Sequence, residues 1–296
     1  MAAHEPEKKD TWDVGRVLRW TTEYFATHGI DSPRLTAELL LAHCLGTSRL
    51  NLYLRFDQPL NPSEREAFRH LIRRRSSREP VAHIVGERSF WTLDLETGPQ
   101  ALIPRPDTET LVSEALKYLP EDRSCRVLDL GTGTGCIALA LASERPLCTV
   151  FAVDISLAAC LLAQKNIRNA DLVSRVFPVT ASWCGAFRRD ALFDLVVSNP
   201  PYIPTAHMAA LAPEVKDHEP PLALDGGADG LSAYRGLVSE VRNVLVPGSY
   251  FLLEIGYDQY EYVSSLFAET GDYDVFPCVK DMAGKERVVV LRRKLN

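Results

Sequence analysis

Two short stretches of this chain carry residue types whose spacing implies chemistry. The first, Asp129-Leu130-Gly131-Thr132-Gly133-Thr134-Gly135, joins an apolar run of strand length to the small and apolar residues of a helix. Alternating glycines let the main chain adopt angles that a Cβ forbids and approach a ligand closely beside a helix N-terminus, which suits a nucleotide-like cofactor. A dinucleotide fingerprint would place a further glycine three residues after Gly133, where this chain has Cys136, so the spacing favours a different cofactor. Taken alone, the turn also fits a tight strand-to-helix connection that binds nothing. Thr149-Val150-Phe151-Ala152-Val153 then ends in Asp154, where an acid after the second strand of a βαβ unit can accept hydrogen bonds from both ribose hydroxyls.

The second stretch is Asn199-Pro200-Pro201-Tyr202, which follows the apolar strand Phe193-Asp194-Leu195-Val196-Val197-Ser198. Ligands of open parallel sheets sit at the carboxyl ends of strands, and this tetrapeptide is at such an end. The Asn199 side chain offers a carbonyl, and Pro200 offers a C=O with no N–H, so two acceptors can face one planar NH₂ group. Tyr202 can stack on the plane that carries that group. In isolation the tetrapeptide also reads as a stiff proline turn.

These residues need a scaffold, and the chain supplies an α/β pattern for it. Strands expected near 126–130, 149–153, 173–179, 193–198 and 249–255 alternate with helices, which implies a parallel sheet covered on both faces. Residues 273–280 and 287–292, separated by the Asp281-Met282-Ala283-Gly284-Lys285 turn, are expected to form an antiparallel hairpin at the sheet edge. The N-terminal part is helical: Val14, Val17, Leu18 and Phe25 make a stripe that stops at Gly29, Ser32-Pro33 caps a second helix, and Asn61-Pro62-Ser63-Glu64 has capping-box spacing. Arg73, Arg74, Arg75 and Arg78 cluster where that last helix ends, either complementing its dipole or forming a docking surface for an acidic partner or RNA. From Pro80 to Leu102 the pattern, with Val81, Ile84 and Val85 first, reads as β, and Pro104 and Pro106 then keep the next segment extended. The expected division is a helical bundle over 1–79, a β-hairpin linker over 80–102 and a sheet domain over 103–296.

Composition narrows the function. A net charge of −6 over 296 residues gives no global positive field for a nucleic-acid backbone. The seven cysteines form no C-x-x-C pair and lie mostly in apolar runs, which argues against a metal and for reduced thiols. The first ten residues are polar, and no apolar run is long enough to cross a bilayer, so the expectation is a cytoplasmic protein with no membrane partner.

The two stretches together resemble the S-adenosylmethionine-dependent methyltransferases that modify planar amino or amide nitrogens. Ile103-Pro104-Arg105-Pro106-Asp107-Thr108-Glu109, His218-Glu219-Pro220-Pro221 with Leu222 to Gly227, and Leu253-Glu254-Ile255-Gly256 further resemble the HemK/PrmC family. That resemblance implies a class I, Rossmann-like methyltransferase domain with a mostly parallel seven-stranded sheet and an antiparallel edge hairpin, plus a small N-terminal helical domain for substrate recognition. It implies a protein substrate, the glutamine of the Gly-Gly-Gln motif in class 1 peptide chain release factors, methylated on its side-chain N5, with no nucleic acid bound directly. It assigns S-adenosyl-L-methionine to Gly131, Thr132, Gly133, Thr134, Gly135, Asp154, Trp183 and Asn199, and the substrate glutamine to Asn199, Pro200, Pro201 and Tyr202, with Asn199, Pro200 and Tyr202 as the catalytic set and no metal. Read from its own surroundings, Trp183 also fits a core aromatic after the third strand. Ser249 and Thr92 stand where the family commonly has glycine, as turn variations. Two other readings compete: an adenine-N6 DNA or RNA methyltransferase, which would need a strand-binding surface, and a non-catalytic binding module.

Overall fold

The computed structural model describes residues 12–188 and 192–295, which divide into two compact units, one ending at Gly86 and the other starting at Glu87. In the first unit, α1 (Val14–Thr27) begins where the Asp13 carboxylate accepts from the Arg16 amide at 2.7 Å, satisfying one of the free N–H groups of the first turn. α2 (Pro33–Cys44) starts at a proline as expected, but Ser32 is left-handed at φ 48° and its hydroxyl makes no cap. A short α3 (Arg49–Leu54) follows, and α4 (Pro62–Ser76) opens with a complete Asn61/Glu64 capping box. Leu18, Phe25, Leu40, Leu52, Phe68 and Ile72 from these four helices form one core.

The β reading of the stretch from Pro80 needs correction at its start. Val81–Val85 is a fifth helix, α5, and its Ile84 joins the core of the first unit. Val81, Ile84 and Val85 stand at i, i+3 and i+4, a helical spacing that so short an apolar run does not separate from a strand. The hairpin itself begins only at β1 (Glu87–Phe90), which pairs antiparallel with β2 (Leu93–Glu96).

The arginine cluster is likewise bound up in the unit. Arg78 donates to the carbonyls of Gly29 and His28 at 2.8 and 2.9 Å, closing the C-terminal end of α1. Arg75 is buried and donates to the Glu79 carbonyl at 3.1 Å, while Arg74 grips the Glu79 carboxylate through two hydrogen bonds at 2.7 and 2.5 Å. Three of the four cations therefore serve the helices themselves, and the docking reading retains only the exposed Arg73.

The second unit continues from the hairpin through α6 (Glu109–Ala115) into a sheet built of β3 (Cys125–Leu130), β4 (Cys148–Asp154), β5 (Val176–Thr180), β6 (Phe193–Ser198), β7 (Leu245–Glu254), β8 (Tyr273–Val275), β9 (Val279–Lys280) and β10 (Glu286–Arg293). The order is β5-β4-β3-β6-β7-β10-β8, with β9 paired to β10 beside that path. Seven strands form the path, as expected, and β9 adds an eighth. β3 to β7 run parallel, whereas β10 is antiparallel to both β7 and β8. The last hairpin thus does not sit wholly at the edge: β10 is interior, consistent with the unbroken apolar run Val288-Val289-Val290-Leu291, and β8 forms the rim. α7 (Cys136–Glu144), α8 (Leu157–Asn169), α9 (Pro213–Lys216), α10 (Ser232–Val244) and α11 (Tyr260–Ala268) complete the unit. Two apolar clusters form around the sheet, one of β3, β4 and α7 residues with α6, the other gathering α10 and α11 against β6 and β7.

Cys125 and Cys148 are register partners on β3 and β4, with Cα atoms 4.9 Å apart, so their side chains meet across the two strands. They are 23 residues apart in sequence, so a search for close cysteine spacing does not find them. Among the described residues no helix is long and apolar enough to cross a membrane, and no group of three or more His, Cys, Asp or Glu side chains could hold a metal.

Candidate active site

β3 and β6 are neighbours in the middle of the sheet, and the chain leaves them in opposite directions, toward β4 on one side and β7 on the other. This is the switch point of an open α/β sheet, where a crevice forms beyond the strand ends. The Ser198 hydroxyl donates to the Leu130 carbonyl at 2.7 Å and fastens the two ends together. The loop after β3 carries the glycines, and the loop after β6 carries Asn199-Pro200-Pro201-Tyr202.

Gly131 and Gly133 have φ of 75° and 55°, in the left-handed region that favours glycine. The Gly131 and Thr132 amides donate to the Val153 carbonyl at 2.9 and 2.8 Å, and the Gly133 amide donates to Asp154 Oδ2 at 2.9 Å. Asp154 Oδ1 accepts from the Ser156 amide at 2.9 Å. Its carboxylate is therefore held at both oxygens by the backbone while it still lines the crevice, and each oxygen keeps a lone pair for a ligand hydroxyl. A Cβ at Gly131 would stand 3.7 Å from the Asn199 carbonyl and 3.8 Å from the Trp183 ring, so the three groups converge on one point. Gly135 has a different role: it caps α7, a Cβ there would come within 3.3 Å of Ala163 in α8, and it does not line the crevice.

The crevice encloses a cavity of 280 Å³ lined by Gly131, Thr132, Gly133, Thr134, Asp154, Trp183, Asn199 and Pro201, among others. That is near the lower end for a small-molecule site. Trp183 lines the cavity and also packs against the core cluster beneath. Pro200 is buried, and Pro201 rather than Pro200 meets the cavity. Beneath the glycine turn, Asp129 is fully buried; its Oδ2 accepts from the Thr132 hydroxyl at 2.6 Å, while Oδ1 has no hydrogen-bond partner. Burial pushes this carboxyl up to about 7.

Around Asn199 the sequence reading was less complete. The side-chain NH₂ of Asn199 donates to the buried Thr108 hydroxyl at 3.2 Å. Thr108 ends the stiff segment containing Pro104 and Pro106, and flanking ion pairs fix that segment: Arg105 to Glu219 at 2.5 Å, and Asp107 to Arg287 at 3.1 Å. Glu219 also accepts from the Ile103 amide at 3.3 Å. Tyr202 is held through its carbonyl, which accepts from Gln259 at 3.0 Å; a Cβ on Gly226 would come 2.8 Å from its Cα, so glycine is required where that loop closes on it. Burial pushes the Tyr202 hydroxyl up to about 12 and keeps it neutral. Thr108, Glu219 and Gln259 thus serve the site, and the sequence assigns none of them an individual role. Thr108 and Glu219 lie in stretches that carry the family resemblance, whereas nothing local singles out Gln259.

The arrangement can hold a nucleotide-like group along the glycine turn and Asp154, and a planar amide at Asn199, within one cavity. The chain matches a family described as PrmC N-terminal domain over residues 16–86 and one described as methyltransferase small domain over residues 108–214. It is 45% identical to a release factor glutamine methyltransferase of Geobacter sulfurreducens, covering 96% of this chain and 98% of that one. It is 43% identical to a protein of the same name from Caulobacter vibrioides, over 93% of this chain and 95% of that one. A methyltransferase structure from Pyrococcus furiosus shares the fold at 20% identity, with a TM-score of 0.52 over 70% of this chain and 91% of that chain.

Proposed function

Because this chain belongs to the family of release factor glutamine methyltransferases, we propose that it transfers a methyl group from S-adenosyl-L-methionine to the side-chain N5 of the Gly-Gly-Gln glutamine of a class 1 peptide chain release factor. The observation that carries the reading is the meeting of Gly131, Trp183 and Asn199 at the switch point, which brings the cofactor turn and the amide-binding loop to one place. The residues present fit the cofactor: left-handed glycines leave the backbone open, Asp154 is oriented for the ribose hydroxyls, and Trp183 offers a flat apolar face for the adenine.

Bound there, the cofactor supplies an electrophilic methyl group on a sulfonium. An amide nitrogen is a weak nucleophile because its lone pair is delocalised. Asn199 Oδ1 and the Pro200 carbonyl accept hydrogen bonds from its two N–H groups, hold it in line with the methyl and stabilise the positive charge that builds on it. Tyr202, neutral and partly buried, covers the amide plane. As it takes the methyl the nitrogen becomes strongly acidic and gives up one proton to water, so no strong base is needed in contact with it.

A glutamine amide is a small target present in almost every protein, so selectivity requires binding energy from elsewhere on the substrate. The helical unit ending at Gly86 is the recognition module in this reading, through surfaces other than its arginine cluster. The test is mass spectrometry of an intact release factor incubated with the enzyme and labelled cofactor. One added methyl on the Gly-Gly-Gln glutamine is expected; label on adenine of added DNA or RNA, and none on the factor, would overturn the assignment.

A further inference from the structure

The carboxamide of Asn199 has two ends of nearly the same shape, and only one serves the reaction. Its oxygen must face the substrate NH₂; turned over, it would present a second NH₂ to the first and repel it. Some feature of the protein must set this orientation. Asn199 follows Ser198, the register partner of Leu253, so Asn199 and Glu254 leave adjacent strands at the same level. The Asn199 NH₂ donates to Thr108 Oγ1 at 3.2 Å. Glu254 is 1% exposed, its Oε2 has no hydrogen-bond partner, and its backbone carbonyl is fixed by the Tyr234 hydroxyl at 3.0 Å. Burial pushes its carboxyl up to about 7, and Thr108, the Arg287 charge and Asn199 pull it back down.

We propose that Thr108 and Glu254 are positioning residues that hold the NH₂ of Asn199 inward and thereby aim its Oδ1 at the substrate amide. The Thr108 hydroxyl hydrogen-bonds to the Glu254 carboxyl, and with its proton committed there its oxygen is left to accept from an N–H rather than donate to a carbonyl. The stiffness of the Pro104 to Thr108 segment acquires a purpose: it delivers one hydroxyl to a fixed point behind Asn199. The proposal rests on the methyl transfer argued above.

The experiment compares Thr108→Val, which keeps shape and removes the acceptor, with Thr108→Ser, which restores it, and with Glu254→Gln, which adds a competing donor. With saturating cofactor and an intact release factor, Thr108→Val is expected to lower kcat by about 10- to 100-fold while KM and cofactor affinity change little, since a reacting group aimed wrongly costs rate rather than binding. Thr108→Ser recovers most of the rate, and Glu254→Gln falls between. A folded Thr108→Val enzyme with wild-type kcat, or a serine variant no better than valine, overturns the proposal. A second readout is independent of turnover: in the ¹⁵N-labelled wild type the Asn199 side-chain amide protons are expected to exchange slowly with solvent and to be released in Thr108→Val. Fast exchange in the wild type overturns the proposal even if transfer is intact. Slow exchange without transfer to any release factor sustains it and instead overturns the assigned reaction.

Discussion

The helical unit and the strand-end site treat buried charge in opposite ways. In the first unit Glu38 is 2% exposed, and both its oxygens are taken: Oε1 by Arg34 at 2.6 Å and by Tyr53, Oε2 by Arg49 at 2.7 Å. Arg74 and Arg78 are likewise consumed by Glu79 and by the end of α1. At the site, Asp129 Oδ1 and Glu254 Oε2 are buried with no partner, and among the described residues they are the only buried carboxylate oxygens in that condition. A carboxylate paired at both oxygens builds architecture, whereas a carboxylate oxygen left open at a strand end marks a place where something else is to be oriented or bound.

The hardest blow to this contrast is expected from Asn199→Ala. It should reduce methyl transfer by about a thousandfold or more while cofactor affinity by calorimetry stays within about threefold, because the lost group acts on the nitrogen under attack. Equal loss of cofactor binding would mean that Asn199 belongs to the cofactor side. Next is pH. The folded Asp129 carboxyl sits at about 7, above its usual 3.8, so the folded state holds a proton that the unfolded chain releases. The contribution of this group to stability is fully present below pH 4 and is lost as pH rises through 7, by an amount on the order of a few kcal/mol. Asp129→Asn cannot ionise, and urea titrations from pH 4 to 8 should show a flatter profile, with the Glu254 share, of the same sign, remaining.

Asp154→Ala should weaken cofactor binding by about 1.5 to 3 kcal/mol through the loss of a charge-assisted contact. The variant also frees the Gly133 and Ser156 amides that now donate to this carboxylate. Unchanged affinity would remove Asp154 from the site. On the architectural side, Glu38→Ala should cost about 1 to 2 kcal/mol, less than a fully buried pair, because Arg34 and Arg49 are 38% and 48% exposed and can turn to water. Methyl transfer should not change. The smallest effect, about 1 kcal/mol of stability with no change in KM, is expected for Arg78→Ala, and none for Arg73→Ala. A raised KM for the release factor in either variant would revive the docking role of the cluster and blur the contrast.

The sheet and both loops were legible in the sequence because their signals are local: apolar runs of strand length, alternating glycines, and an acid or an asparagine directly after a strand. What stayed hidden depends on distant partners. The Arg78 side chain caps carbonyls 49 and 50 residues away, so its charge could be read but not its use. Thr108 after a double-proline segment looks like any helix start until the fold brings Asn199 to it across 91 residues. α5 was missed because three apolar residues do not fix a period, and the Cys125–Cys148 juxtaposition because register joins positions that spacing does not.

The interior place of β10 has a consequence for how the molecule is made. β7, whose last residue is Glu254, is bordered by β6 on one side and by β10 on the other, and β10 spans residues 286–293. Until those residues leave the ribosome, the growing chain carries β7 with a bare, strongly apolar flank and an unpaired ladder of amides and carbonyls, the kind of edge that recruits foreign strands. The site wall that aims Asn199 is therefore among the last parts to be sealed, and a nascent chain stalled before residue 286 should be a client for chaperones rather than a slow enzyme.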